Sequence, residues 1–255
     1  MNYFPIRAMQ TDHPDEGGLR ISVLSAIRNT PIENATIDIT YTGDPSSVID
    51  ELKTDANGLT EEILLPAPPL EYSMEPSEYQ PYAEYTFHIE AEGFEPVDIS
   101  GAEILPEVTA LQTARLQAQT PENTFQSIVI PAHTLFGTYP EKIPEDEIKP
   151  MDESGEIVLS RVVVPEFIVV HDGAPTDPTA QNYYVRYRDY IKNVASSEIY
   201  ATWPTETIRA NVLAIMSFTL NRVYTEWYRN KGYDFTITSS TAFDHKWING
   251  RNCLL

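Results

Sequence analysis

Glu198 closes a helical stripe. Tyr187, Ile191, Val194 and Glu198 stand at i, i+4, i+7 and i+11, a spacing that puts all four on one helix face. Three of them are apolar or aromatic. A carboxylate on such a face loses water, and desolvation favours its neutral form. A Glu that keeps its proton near neutral pH is a general acid. The same spacing permits a plainer reading, in which Glu198 sits at the last turn and reaches solvent or pairs with Arg209. Ser196, Ser197, Tyr200 and Trp203 lie close by in the chain. The two aromatics are of the kind that stacks on sugar rings, although Trp203 better suits a staple between two helices.

Other chemistry finds less support. His171 with Asp172, and His245 with Cys253, are scattered pairs without the short ligand spacing of a zinc site. His13 and His133 are isolated in loop-like sequence. His88 lies in a strand pattern and reads as a surface or hydrogen-bonded residue. No metal and no cofactor are expected. Cys253 is the single cysteine, so no intrachain disulfide can form. It lies near the end of the sequence and is a weak nucleophile candidate.

Several elements must position Glu198. Residues 184–218 read as two helices joined by Tyr200-Ala-Thr-Trp-Pro204. Pro204 suits a first helical turn, where its missing N–H leaves no bond unmade. In the second helix Ile208, Val212, Ile215, Thr219 and Val223 form a stripe that Met216, Leu220 and Trp227 broaden, which predicts a helix buried over much of its surface. Gly232 suits a C-terminal stop. Before this region, Val162–His171 reads as a strand pair or as one strand broken at Pro165. Asp172–Pro178 reads as a loop.

Upstream the apolar period is 2, not 3.6. Strands are predicted at Leu19–Ser25, Thr36–Tyr41, Thr60–Leu65, Tyr82–Ala91, Val97–Ile99 and Val108–Leu116, with another at Phe125–Ile130. Thr54-Asp-Ala-Asn-Gly58 is a turn in which Gly supplies positive φ. Short strands separated by turn signals argue a β-sandwich. Tyr139–Pro150 is a charged, proline-punctuated connector. The expected fold class is α+β in two domains: an N-terminal antiparallel β-sandwich over residues 1–118, an acidic Pro-rich connector over 119–161, and a mainly helical region with short strands over 162–255. No helix longer than two turns is expected within residues 19–117.

Charge is unevenly spread. Residues 1–118 carry 21 acidic and 5 basic side chains, and residues 162–255 carry 9 of each. The acidity opposes binding to nucleic acid, which needs a basic patch, and it favours solubility. No run of 18 apolar residues could span a membrane. The first residues lack a basic stretch followed by an apolar one, so no signal peptide is visible.

Two resemblances follow from motifs. Asp189-Tyr190, Val194, Glu198, Trp203-Pro204, Glu206, Ala210, Ala214 and Ser217 match the pattern of the stage II sporulation protein D (SpoIID) family, and residues 184–252 are similar to part of its domain. Met216 departs from the family's usual Arg. His245-Lys-Trp247 stands where the family has Q-x-Y, with Gly250 one residue late. The resemblance implies a lytic transglycosylase that cuts peptidoglycan glycan strands. It implies Glu198 as the catalytic residue of a truncated domain, and Ser197, Tyr200 and Trp203, near Glu198 in sequence, with His245 and Trp247 at the Q-x-Y position, are the substrate-binding candidates. Separately, Pro31, Asn34, Ala35, Ile37, Ile39, Thr54, Asp55, Gly58, Ala91, Gly93 and Phe94 carry a resemblance to the carboxypeptidase regulatory-like domain. That is a transthyretin-like sandwich used as a spacer or binding module.

A glycosidase that uses water needs two carboxylates. A lytic transglycosylase needs one, which protonates the leaving oxygen and then acts as base while the sugar's own 6-hydroxyl closes a 1,6-anhydro ring. The expected setting is a bacterial cell envelope or spore, or release with a phage tail-like particle. The rival expectation is a non-catalytic structural or adaptor component of such an assembly, bound to a protein partner through the sandwich. An open groove at Glu198 would separate the two.

Overall fold

The structure is a computed structural model that describes residues 15–76, 78–120, 125–132, 135, 139–143 and 162–254. His13, His133 and most of the expected connector lie outside these residues. The fold is mixed α+β, with three β-sheets among the described residues. The chain divides into two compact units. One comprises residues 1–134, 200–203 and 249–255, and the other residues 135–199 and 204–248.

The first unit is a β-sandwich. Its smaller sheet has the order β4 (Ile63–Ala67), β1 (Asp15–Ser25), β7 (Thr109–Leu116). Its larger sheet runs β3 (Asp44–Lys53), β2 (Thr36–Tyr41), β5 (Ala83–Glu90), β6 (Val97–Ile104), β8 (Gln126–Val129). Alternation builds the core. Leu19, Ile21 and Val23 of β1 are fully buried, as are Ile37 and Ile39 of β2 and Tyr85, Phe87 and Ile89 of β5. Burying each such side chain contributes roughly 1.5–3 kcal/mol. The expected all-antiparallel pairing needs correction. β1 pairs β7 in parallel, and β6 pairs β8 in parallel, because these partners are joined by long connections, not hairpins.

The turn after β3 is built as its residues dictate. Asp55 Oδ1 accepts the Asn57 N–H at 2.8 Å and the Leu59 N–H at 3.0 Å. Gly58 has φ of 70°, and a Cβ there would lie 2.5 Å from the Val23 carbonyl oxygen. Thr54 Oγ1 donates to the Ile32 carbonyl at 2.7 Å and accepts the Ala35 N–H at 2.9 Å, which ties the turn to β2. The helix α1 (Glu71–Met74) is a single turn, within the expected limit for this region.

His88 on β5 is hydrogen-bonded to Asp98 at 2.6 Å and to Glu90 at 3.1 Å. Burial disfavours its charge, but the bonds to the two carboxylates outweigh this and raise its pKa above the usual 6.5. A raised folded-state pKa gives stability that is complete below the ordinary value and fades as pH rises through the folded one. The side chain is 38% exposed, so the pair is screened and contributes less than about 1 kcal/mol. His88→Gln is expected to lower the unfolding midpoint slightly at about pH 5.5 and to leave it unchanged at about pH 9. Thermal melts at the two pH values check this.

The second unit holds a three-stranded sheet of order β10 (Asn182–Arg186), β9 (Phe167–His171), β11 (Ile237–Thr238). Val162–Val164 form no strand, and the pattern broken at Pro165 resolves into β9 alone. Two helices follow, α2 (Tyr187–Glu198) and α3 (Thr205–Tyr224), and then one 3-10 turn at Arg229–Lys231 that ends at Gly232 with φ of 87°. Val169, Trp227, Tyr228 and Phe235 form a buried cluster with Tyr233 packed on it. Tyr187, Ile191 and Val194 of α2 are buried as their spacing predicts. α3 differs from its expectation. Among its residues Ile215, Thr219 and Arg222 are buried, whereas Ile208, Val212, Met216 and Leu220 are half-buried and Leu213 is 63% exposed. A wide apolar stripe therefore does not make α3 a core helix. No helix is long and apolar enough to cross a membrane among the described residues.

Candidate functional site

Glu198 is the last residue of α2, where the helix stops because Ile199 turns extended. Its carboxylate does not meet Arg209, which pairs with Glu206 at 2.8 Å on the surface of α3. It meets the segment after β11 instead. His245 Nδ1 lies 2.9 Å from Glu198 Oε1, and the Lys246 backbone N–H donates to the same oxygen at 3.3 Å. Among the described residues Oε2 has no hydrogen-bond partner. The Glu198 side chain is 27% exposed and that of His245 16%. One carboxylate oxygen is thus fixed by two donors and the other is left open.

The pairing also fixes the imidazole. Nδ1 faces a carboxylate, so in the neutral ring it carries the hydrogen and Nε2 keeps its lone pair. Nε2 is buried and has no hydrogen-bond partner among the described residues. The Phe218 ring stands edge-on to the imidazole at 4.7 Å and limits its motion. Behind the pair, Tyr190 is fully buried. Burial holds its phenol well above the usual range, and the nearby Asp244 and Glu198 carboxylates add to the effect.

The segment carrying His245 is anchored at Asp244, whose side chain is fully buried. Its Oδ1 accepts from Arg222 Nε at 2.8 Å. Its Oδ2 accepts from Tyr228 Oη at 2.7 Å, from the Thr238 N–H at 2.9 Å and from Thr238 Oγ1 at 2.7 Å.

The other expected site residues stand as follows. Ser197 is buried and donates to the Asn193 carbonyl at 2.9 Å. Trp247 is buried with its ring 5.3 Å from that of Tyr183. Tyr200 and Trp203 belong to the sandwich unit. There Tyr200 is buried, the two rings meet edge-on at 6.1 Å, and the Trp203 indole N–H donates to the Ser73 carbonyl at 2.9 Å. Of the expected residues, the structure therefore joins Glu198 and His245 directly. Asn193 and Asp244 are functional-site residues that the sequence reading does not single out, since neither is a matched position of the motif. Among the described residues no group of three or more His, Cys, Asp or Glu could hold a metal ion.

Cavities are formed in both units among the described residues. One of about 180 Å³ in the second unit is lined by residues including Phe167, Arg222, Tyr228 and Phe235. One of about 500 Å³ in the sandwich is lined by residues including Asn34, Thr36, Glu90, Phe94 and Gln119. Glu198 lines neither, and its carboxylate reaches solvent at the surface.

No protein-family model matches the chain. No curated protein matches it either. Solved structures match at low similarity. A hydroxyquinol 1,2-dioxygenase from Pseudomonas putida is 14% identical over 44% of this chain and 59% of its own, with a TM-score of 0.31. A minor pilin from Streptococcus agalactiae is 12% identical over 47% of this chain and 49% of its own, at 0.30. The 5-hydroxyisourate hydrolase of Klebsiella pneumoniae is 16% identical over 40% of this chain and 92% of its own, at 0.26. The chain thus spans less than two thirds of the dioxygenase and of the pilin, and likeness at this level assigns no function. These findings correct the motif-based family reading. No SpoIID protein or lytic transglycosylase is among the matches, whose folds are transthyretin-like, dioxygenase-type and pilin sandwiches, and the chain is not assigned to the SpoIID family. Part of the motif has a purely structural reason. Val194 and Tyr190 match because a helix buries them, and helices on unrelated folds bury the same residue types at the same spacing.

Proposed function

We propose that the chain cleaves glycan strands of the peptidoglycan class by intramolecular transglycosylation, with Glu198 as the acid/base group. The observation that supports this most is the one-sided hold on Glu198. Oε1 accepts from His245 Nδ1 and from the Lys246 N–H, so the carboxyl cannot rotate freely and a proton on Oε2 points outward. That proton passes to the glycosidic oxygen as the bond from it to C1 breaks. Oε2 then takes the proton of the sugar's 6-hydroxyl as that oxygen closes on C1. The products are one strand with an ordinary new hydroxyl and one with an anhydro end, with no water consumed. A single carboxyl suffices for this sequence, whereas hydrolysis needs two. We place the site in a helical domain and treat the sandwich as a separate spacer or binding domain. A substrate of this class places the protein at a bacterial envelope or spore, or on a particle that reaches one.

A second reading is a non-catalytic component of an envelope-associated assembly. It is favoured by the cavity of about 500 Å³ in the sandwich, which Glu198 does not line. Incubating the intact chain with purified peptidoglycan and reading the soluble products by mass separates the two. Anhydro-ended fragments support cleavage, and binding without release supports the assembly role.

A further inference from the structure

We infer that Asn193 is a positioning residue for Glu198, an inference that rests on the reading of Glu198 as the acid/base. Asn193 lies on α2, five residues before Glu198. Its side-chain amide exchanges two hydrogen bonds with the backbone of Ile248. Nδ2 donates to the Ile248 carbonyl at 2.7 Å, and the Ile248 N–H donates to Oδ1 at 3.0 Å. This copies the paired exchange of an antiparallel ladder, with a side chain in place of one strand. The second of these bonds fixes which way the amide faces.

The segment Asp244–Ile248 is therefore held at both ends. At one end the buried Asp244 carboxylate accepts from Arg222, Tyr228 and Thr238. At the other end stands Asn193. Between them His245 and Lys246 supply both donors to Glu198 Oε1. The side-chain hydrogen bonds of Asn193 among the described residues go to Ile248 and not to Glu198. Asn193 acts through the backbone it grips, on the same helix as the carboxyl that this backbone must meet. Without that grip the Ile248 end is free to drift, and displacement of a catalytic group by about 1 Å costs on the order of a hundredfold in rate. Asp244 anchors too many buried groups to be separated from folding. Asn193 is half-buried and bonds through one amide, so its removal is a milder change.

The test compares the intact wild-type chain with Asn193→Ala and Asn193→Asp, and with Arg188→Ala as a control on the exposed side of α2. Peptidoglycan cleavage is followed as a function of pH and substrate concentration, and the imidazole nitrogens of His245 are observed by NMR. Positioning predicts a fall in kcat on the order of 10- to 100-fold with KM little changed, and an altered pH profile. It also predicts that His245 loses its single tautomer, while Arg188→Ala stays at wild type. Asn193→Asp keeps the shape but sets an oxygen against the Ile248 carbonyl, so it should fail as Asn193→Ala does. Should either variant fail to fold, slow hydrogen exchange at the Ile248 N–H of the wild type becomes the measure, and fast exchange there overturns the inference. Wild-type kcat and an unchanged His245 tautomer in both variants also overturn it, and leave the role of Glu198 standing if Glu198→Gln is inactive. Full activity of Glu198→Gln removes the underlying reading, and with it any catalytic role for Asn193.

Discussion

Glu198→Gln is expected to lose glycan cleavage by a factor of a hundred or more while keeping its fold. The change preserves the length and shape of the side chain. Gln can still accept at its carbonyl oxygen from the Lys246 N–H and from His245 Nδ1, the two donors that hold Glu198 now. What it cannot do is give up and take back a proton. A positioned acid/base contributes roughly 10² to 10⁴ in rate, and in this scheme one group performs both transfers, so the loss should reach at least the lower figure. The melting temperature should move little, because the side chain is partly exposed and its replacement keeps its bonds. Cleavage at the wild-type rate by a folded Glu198→Gln chain would leave Glu198 as a helix-end carboxylate.

The largest effect on stability is expected in the sandwich unit. Arg251 Nη1 lies 2.7 Å from Glu103 Oε2, and both side chains are 0% exposed. Asn252 ties the same strand, since its Nδ2 donates to the Glu103 carbonyl at 2.6 Å and its Oδ1 accepts the Glu103 N–H at 3.2 Å. Cys253 then exchanges two backbone bonds with Leu111 of β7. Arg251→Met would take the guanidinium away from the buried Glu103 carboxylate. Glu84, its register partner on β5, already has its pKa raised, first by burial and then by the charge of Glu103. Removing one partner of such a pair costs about 3–5 kcal/mol, a fall in melting temperature on the order of 10 °C for a chain of this size. Replacing both partners, as in Glu103→Gln with Arg251→Met, should recover most of the loss, because the buried carboxylate charge is then removed together with its guanidinium. Thermal denaturation of the two variants measures this, and an equal loss in both would show that the pair itself, not the stranded charge, carries the effect.

These cases mark where the sequence was readable. β2 and β5 alternate apolar and polar residues because one face of each is buried, and both were placed to within a residue or two. The α2 stripe was readable for the same reason at a period of 3.6. β3 was missed because Asp44–Lys53 is an edge strand with Leu52 as its one buried residue, and a strand without a buried face has no period to read. The helical reading starts at Tyr184 and so absorbs the last three residues of β10, Tyr184–Arg186, since Tyr184 and Val185 suit either state. The width of the α3 stripe overstated its burial, because apolar spacing shows which face points inward and not how much covers it. Glu198 was singled out by its place on a helix face. His245, expected to contact substrate, is bonded to Glu198, 47 residues away. The pairing of Glu103 with Arg251 spans 148 residues. Local spacing carries no information at such separations.

The most direct measurement is digestion of purified peptidoglycan in heavy-oxygen water, with the released fragments read by mass. Closure of the ring by the sugar's own hydroxyl predicts anhydro-ended fragments that carry no heavy oxygen from the wild-type chain, and at least a hundredfold fewer from Glu198→Gln. Reducing-end fragments that carry the label, or no release by the wild-type chain, would contradict the account.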